Sequence, residues 1–241
     1  MTPLEGAAIE GGGAAVERAG TAANELDPSA VAERVASARE RVRRAGGSER
    51  VTIVAVTKGF GPEAVGAAAS AGLGDIGENY AQEMLSKIPS APAGLRWHFL
   101  GEMQRKKLAR LAPYVYLWHG LDRVEEAACL AKVCPGARVL IEVRAAGASG
   151  GRPGVSLGAV PELVAVARRA GLDVRGLMTV AAPGATIGEV ASHFHQVASL
   201  AHELGLAEVS MGMSADFELA VAQGATIVRL GTALFGPRPH H

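Results

Sequence analysis

The sequence predicts an α/β fold, a single (β/α)8 (TIM) barrel with an extra helix on its N-terminal side. Three observations point there. Short apolar runs alternate with helical stretches eight times between Val51 and Phe235. Runs such as VTIVAV and RVLIEV are continuously apolar or β-branched rather than alternating, which marks strands buried on both faces of a parallel sheet. The length of 241 residues suits one barrel. An open doubly wound sheet is the alternative with the same alternation.

Composition removes several function classes. Hydrophobic residues make up 49% and charged residues 20%, an ordinary soluble mixture. Lys+Arg and Asp+Glu are equal at 24 each, which argues against a nucleic-acid footprint or a polybasic membrane anchor. Cys129 and Cys134 suggest neither a disulfide framework nor a metal cluster, and fit a reducing compartment. The N-terminus lacks a basic leader with an apolar stretch behind it, and no apolar run reaches membrane-spanning length. The expectation is a cytoplasmic protein.

In chain order, residues 1–26 are Gly- and Ala-rich without periodicity and read as a disordered tail, leaving 27–241 as one domain. Asp27-Pro28-Ser29 starts a helix in which Val31, Val35, Ala38 and Val42 recur at helical spacing. Ala45-Gly46-Gly47 ends it, and the helix is expected to cover the bottom of the barrel. Strand one is Val51 to Lys58, followed by a helix from Pro62 to Ala71. Leu73 to Gly77 and then Asn79 to Ile88 form the second pair, Arg96 to Leu100 and Met103 to about Leu111 the third. Val115 to Trp118 precedes a helix to Val133 with Asp122 as its expected cap. Arg138 to Val143 leads through a Gly-rich loop, ending at Ser156, to a helix from Val160 to Ala170. Leu172 to Met178 precedes Ile187 to Leu204, and Glu208 to Met211 precedes Ala215 to Ala222. Thr226 to Leu230 and a short turn from Gly231 to Phe235 complete the set.

In such a barrel the chemistry gathers where strands give way to helices. Lysine occurs only at 58, 87, 106, 107 and 132, and Lys58 alone is attached to an apparent core strand. An amine at the rim of an apolar interior has its pKa lowered and becomes a nucleophile towards aldehydes. The bland reading is a surface lysine that happens to follow a strand. Met211-Gly212-Met213-Ser214 after strand seven and Gly231-Thr232 after strand eight each place N–H groups and a hydroxyl at a helix start, a recurrent phosphate site in barrels. Each reads equally well as a simple cap. Arg229 lies inside an apolar strand, where a guanidinium needs a partner: an inward carboxylate such as Glu142, or a ligand atom. Asn79 caps its helix, touches a ligand, or does both. His98 reads as a satisfied core histidine, and His119 and Asp122 carry no stronger signal.

GENY (77–80), RWHFLG (96–101), RGLMT (175–179), SMGMSADF (210–217) and VRLGTALFG (228–236), in this order and spacing, resemble the pyridoxal phosphate homeostasis proteins of the YggS/PROSC type. The likeness runs from about Val51 to Gly236. It implies a fold like the alanine racemase N-terminal domain, with pyridoxal 5'-phosphate as cofactor. Lys58 would hold it as a Schiff base. Ser214, Gly231 and Thr232, with neighbouring backbone at Met213, would bind its phosphate. Arg229 would face the pyridine nitrogen, and Asn79 would lie beside the ring. The chain departs from the family pattern at Glu102, at Lys106 in the Glu102 to Lys107 segment, at Arg144 and at Arg152, so the loops over the cofactor differ in charge.

The resemblance favours a carrier and buffer of the cofactor over an enzyme. The chain stops soon after Gly236, where a racemase would continue into a second domain, and no further base is evident on the rim. The alternative is a fold-type III racemase or decarboxylase; a class I aldolase using Lys58 without cofactor is a third. Expected partners are the cofactor, amino acids and, transiently, cofactor-free acceptor enzymes, with the protein itself a monomer. His240-His241 read as a native end or a tag remnant.

Overall fold

Eight parallel strands close into a barrel in chain order, which excludes the open sheet. They are β1 (Thr52–Val56), β2 (Asp75–Glu78), β3 (Arg96–Phe99), β4 (Val115–Leu121), β5 (Arg138–Val143), β6 (Asp173–Thr179), β7 (Glu208–Ser210) and β8 (Ile227–Leu230). β8 pairs with β1 through Thr52–Ile227 to Ala55–Leu230, so every strand has two neighbours. This computed structural model describes residues 26–145 and 152–238. Residues 1–25 of the expected tail, part of the Gly-rich loop after β5, and 239–241 lie outside the described residues, whereas Leu26, also assigned to the tail, packs against the core.

The helices are α1 (Pro28–Arg44), α2 (Pro62–Ser70), α3 (Ala81–Lys87), α4 (Arg105–Leu111), α5 (Val124–Val133), α6 (Val160–Arg169), α7 (Ile187–Glu203), α8 (Phe217–Ala222) and α9 (Thr232–Phe235). α1 forms as its pattern dictates: Asp27 accepts the Ser29 N–H at 2.9 Å, and Val31, Val35, Ala38 and Val42 are its buried stripe. Its place differs from the expectation. α1 packs along the side of the barrel against α2, α8 and α9. Arg41 pairs with Glu218 at 2.7 Å, and Arg39 donates to the Gly72 carbonyl at 2.8 Å. The physical reason is the brevity of α8 and α9, which leaves strands β8 and β1 uncovered unless a longer helix lies over them. The far end of α1 reaches the bottom rim, where Arg39, Val42 and Arg43 line one cavity with Thr52 and Asp75.

Two further expectations are corrected. β4 runs on to Leu121, because Leu117 to Leu121 are all buried and Gly120 lets the strand approach the Gly101 carbonyl, which a Cβ would meet at 3.1 Å. Asp122 does not cap α5, whose capping position is Arg123; its Oδ2 accepts the Gly154 N–H at 2.7 Å instead. The core between sheet and helices is continuous, and the barrel interior holds a separate small cluster of Val54, Leu117, Leu140, Met178 and Ile227.

Candidate active site at the C-terminal rim

Lys58 stands two residues beyond β1, in a turn that Gly59 completes with φ +74°. Its backbone is clamped from both sides. Lys87 donates to the Thr57 carbonyl at 2.8 Å, the Thr57 hydroxyl donates to Glu78 at 2.5 Å, and the Gly59 N–H donates to Glu83 at 2.8 Å. Lys87 also pairs with Glu78 at 2.6 Å, while burial holds the Glu78 carboxyl above its usual range. Lys58 is therefore not the one lysine attached to the core. Lys87 is 2% exposed, deeper than Lys58. Its helical, polar sequence context hid this, because the carboxylates that receive it come from β2 and from one turn earlier in α3. The Lys58 amine itself is half-buried, and desolvation, then the charges of Arg238 and Arg229, hold its pKa below the ordinary lysine value.

The loops after β7 and β8 adjoin. Gly212 has φ +88°, and a Cβ there would lie 2.5 Å from the Ala220 Cβ and 2.8 Å from the Phe217 Cα, so only glycine fits. The Gly212 carbonyl accepts the Arg229 N–H at 3.0 Å. Ser214 is not the cap of α8, where Asp216 stands. Its Oγ accepts the Ala233 N–H at 3.0 Å and so ties the two loops together. Met213 donates its N–H to Asp216 at 2.6 Å. The N–H groups of Ser214, Ala215, Gly231 and Thr232 make no hydrogen bond among the described residues. Two strand ends thus present four free donors to one place.

Arg229 is 6% exposed and forms no ion pair with Glu142 among the described residues. Its Nη1 donates to the Ser210 carbonyl at 2.8 Å and the Ser210 Oγ at 2.7 Å, and its Nη2 to the Thr179 carbonyl at 2.9 Å. Burial lowers its pKa to about 10, so it remains charged at neutral pH. Asn79 is not a cap either, since α3 begins beyond Tyr80. The Asn79 carbonyl lies against Gly101, where a Cβ would come within 1.9 Å, so the glycine of RWHFLG is required by this crossing.

Lys58, Asn79, Met213, Ser214, Arg229, Gly231 and Thr232 all line one cavity of about 550 Å³, within the size range of small-molecule sites. Glu142 and Asp122 line it too. Burial, then Asp122, pushes the Glu142 carboxyl up to about 7. The sequence weighed Glu142 only as a partner for Arg229, although a lone carboxylate inside RVLIEV was itself a signal. Arg238, beyond the last helix, gave none. Of the family departures, Glu102 lines the cavity and pairs with Arg123 at 2.9 Å, whereas Lys106, Arg144 and Arg152 are exposed. No cluster of three or more metal-ligating side chains occurs among the described residues.

The sequence profile of the alanine racemase N-terminal domain matches residues 26–239. The pyridoxal phosphate homeostasis protein of Pseudomonas aeruginosa is 36% identical over 225 residues, covering 88% of this chain and 97% of that one. The chain belongs to the pyridoxal phosphate homeostasis protein family. The Deinococcus radiodurans member is also 36% identical, over 86% of this chain and 98% of its own. Among solved structures, PipY of Synechococcus elongatus with pyridoxal phosphate bound superposes with a TM-score of 0.73 at 32% identity, covering 86% of this chain and 100% of PipY. This family member therefore has the alanine racemase N-terminal barrel, as its motifs implied.

Proposed function

We propose that this protein binds pyridoxal 5'-phosphate at the C-terminal rim, through a Schiff base to Lys58, and carries and buffers it without catalytic turnover. The observation that carries this reading is the convergence of a desolvated lysine amine, four free backbone N–H groups and a buried arginine on one cavity. The donor set fits the cofactor's two ends. The cofactor would supply an aldehyde, able to condense with a neutral amine with loss of one water, and a phosphate to anchor it. The N–H groups of Ser214, Ala215, Gly231 and Thr232, with the Ser214 and Thr232 side chains, take the phosphate. Lys58, held by the clamp on Thr57 and Gly59, takes the aldehyde. Arg229 would serve the ring nitrogen; staying charged, it would disfavour a second positive charge there and so weaken the electron sink that catalysis needs. Asn79, which lines the same cavity, would contact the ring. Relatives bearing the homeostasis name, and the cofactor in PipY, support the same reading.

Release to amino acids or cofactor-free enzymes would follow by exchange of one amine for another at the same carbon. We place the protein in the cytoplasm as a monomer; no described helix is long and apolar enough to cross a membrane. A second reading, a racemase or decarboxylase, is favoured by Glu142, a near-neutral carboxyl inside the cavity. One set of measurements separates the two. Borohydride reduction of the cofactor-loaded protein should bleach its visible band and leave the added mass on Lys58, with no change in D- or L-amino acids on prolonged incubation. Substrate-dependent turnover lost in Lys58→Ala would establish the enzyme instead, and labelling elsewhere would remove both readings.

A further inference from the structure

A file of buried polar side chains runs through the barrel from the rim to its base, beside the apolar interior cluster of Val54, Leu117, Leu140, Met178 and Ile227. Ser210 Oγ lies 2.7 Å from Arg229 Nη1 and 3.1 Å from His119 Nδ1. His119 Nε2 lies 2.9 Å from His98 Nδ1, and His98 Nε2 lies 2.9 Å from Asp75 Oδ1. Asp75 is in turn gripped by Arg96, whose Nε donates to Oδ1 at 2.7 Å. Ser210 and His119 are 0% exposed and His98 is 1% exposed. Asp75 and Arg96 open onto a second cavity of about 520 Å³ at the base, lined also by Arg39, Arg43 and Glu49.

We propose that Ser210, His119, His98 and Asp75 are positioning residues: a one-way file of hydrogen bonds that fixes the Arg229 guanidinium at the cavity floor, with both histidines neutral and protonated on Nε2.

The direction follows from the two ends. A guanidinium only donates, so Ser210 Oγ accepts from Arg229 and its own hydrogen goes to His119 Nδ1. That nitrogen carries no proton, so His119 is the Nε2–H tautomer and donates to His98 Nδ1. His98 is then also Nε2–H and donates to the Asp75 carboxylate, which only accepts. Each link has one donor and one acceptor, and none is left over. Adding a proton would put N–H on His119 Nδ1 against Ser210 Oγ, which already receives the Arg229 hydrogen. The serine hydrogen would then lack an acceptor in the file, at a fully buried site. The surrounding charges point the same way: Arg229 lies at the rim end, Arg96 and Arg138 stand over the Tyr116 ring that packs on His98, and Asp75 is the one carboxylate bonded to the file among the described residues. Burial, and with it the positive charge of Arg229, holds the His119 pKa well below the ordinary histidine value.

The positioning role rests on Arg229 contacting the cofactor; the tautomers do not. Nitrogen-15 NMR of the histidine rings in cofactor-free protein at pH 7.5 should show His98 and His119 both as the Nε2–H tautomer. A charged ring, or an Nδ1–H on either, overturns the file. In cofactor-loaded protein, Ser210→Ala and the distant Asp75→Asn should each shift the visible band and speed release to an excess amine about tenfold, with Ser210→Thr restoring both. Unchanged bands and rates in Ser210→Ala and Asp75→Asn overturn the positioning role. Failure of wild-type protein to take up cofactor at all would sink the proposed function, while the tautomer measurement would still decide the file.

Discussion

At Lys58 two effects of the same sign act on one amine: loss of water and the approach of two guanidinium groups. The neutral amine is the reactive form, so cofactor uptake should rise with pH and level off below the pH at which an ordinary lysine, with a pKa of about 10.4, would do so. Stopped-flow uptake between pH 6 and 11 measures the midpoint. Arg238→Gln should move that midpoint upward and slow uptake at pH 7.5 by roughly two- to threefold, less in high salt, because Arg238 is exposed. Glu142 behaves oppositely. Its folded pKa of about 7 lies above the ordinary glutamate value of 4.5, so the folded state binds the extra proton between those values. Stability contributed by protonated Glu142 is present below about 4.5 and is lost as pH rises towards 7. Glu142→Gln should therefore raise the free energy of urea unfolding at pH 8, by on the order of 2 kcal/mol, and have no such effect near pH 4.5.

Among the elements, the junction of β1 with α3 and the loop after β7 do the placing. Lys87 holds the carbonyl before Lys58 and neutralises Glu78, which is 0% exposed and has one oxygen without a partner among the described residues. Lys87→Met would leave that carboxylate buried and unpaired, at a cost of about 3–5 kcal/mol in urea unfolding. It should also lower the uptake rate at Lys58, since the clamp on Thr57 is lost. Gly212→Ala would force an L side chain into a left-handed backbone against Ala220 and Phe217. A loss on the order of 1–3 kcal/mol is expected, with weaker binding of inorganic phosphate by titration calorimetry. The element order was readable in advance because periodicity and caps are local: α1, β5 and α7 lie within a residue or two of the predicted bounds. The end of β4 and the part played by Asp122 were not, because each depends on a partner distant in sequence, Gly101 for the strand and Gly154 for the carboxylate.

For the molecule as a whole, α1 closes the ring of helices where α8 and α9 are short, through Val35 at 1% exposure and the Arg41–Glu218 pair. We infer one cooperative unit from this sharing of the core. Circular dichroism and tryptophan fluorescence from Trp97 and Trp118 should report the same transition, and Val35→Ala should shift both together by about 2 kcal/mol. Two separated transitions would contradict the single domain.

By itself the sequence determined that the chain alternates strand and helix eight times, that the family motifs are present, and that Lys58, Arg229 and the Gly-containing loops after β7 and β8 belong to one rim. These depend on residue type, spacing and chain direction, which are local properties. Only the tertiary structure decided that Lys87 is buried beside Lys58, that Glu142 is drawn towards a neutral pKa, and that His98 and His119 connect Arg229 to Asp75. Each depends on groups that meet only when strands and helices assemble, as Lys87 meets the Thr57 carbonyl and Ser210 meets His119, and closing the barrel is what removes water from the space between them.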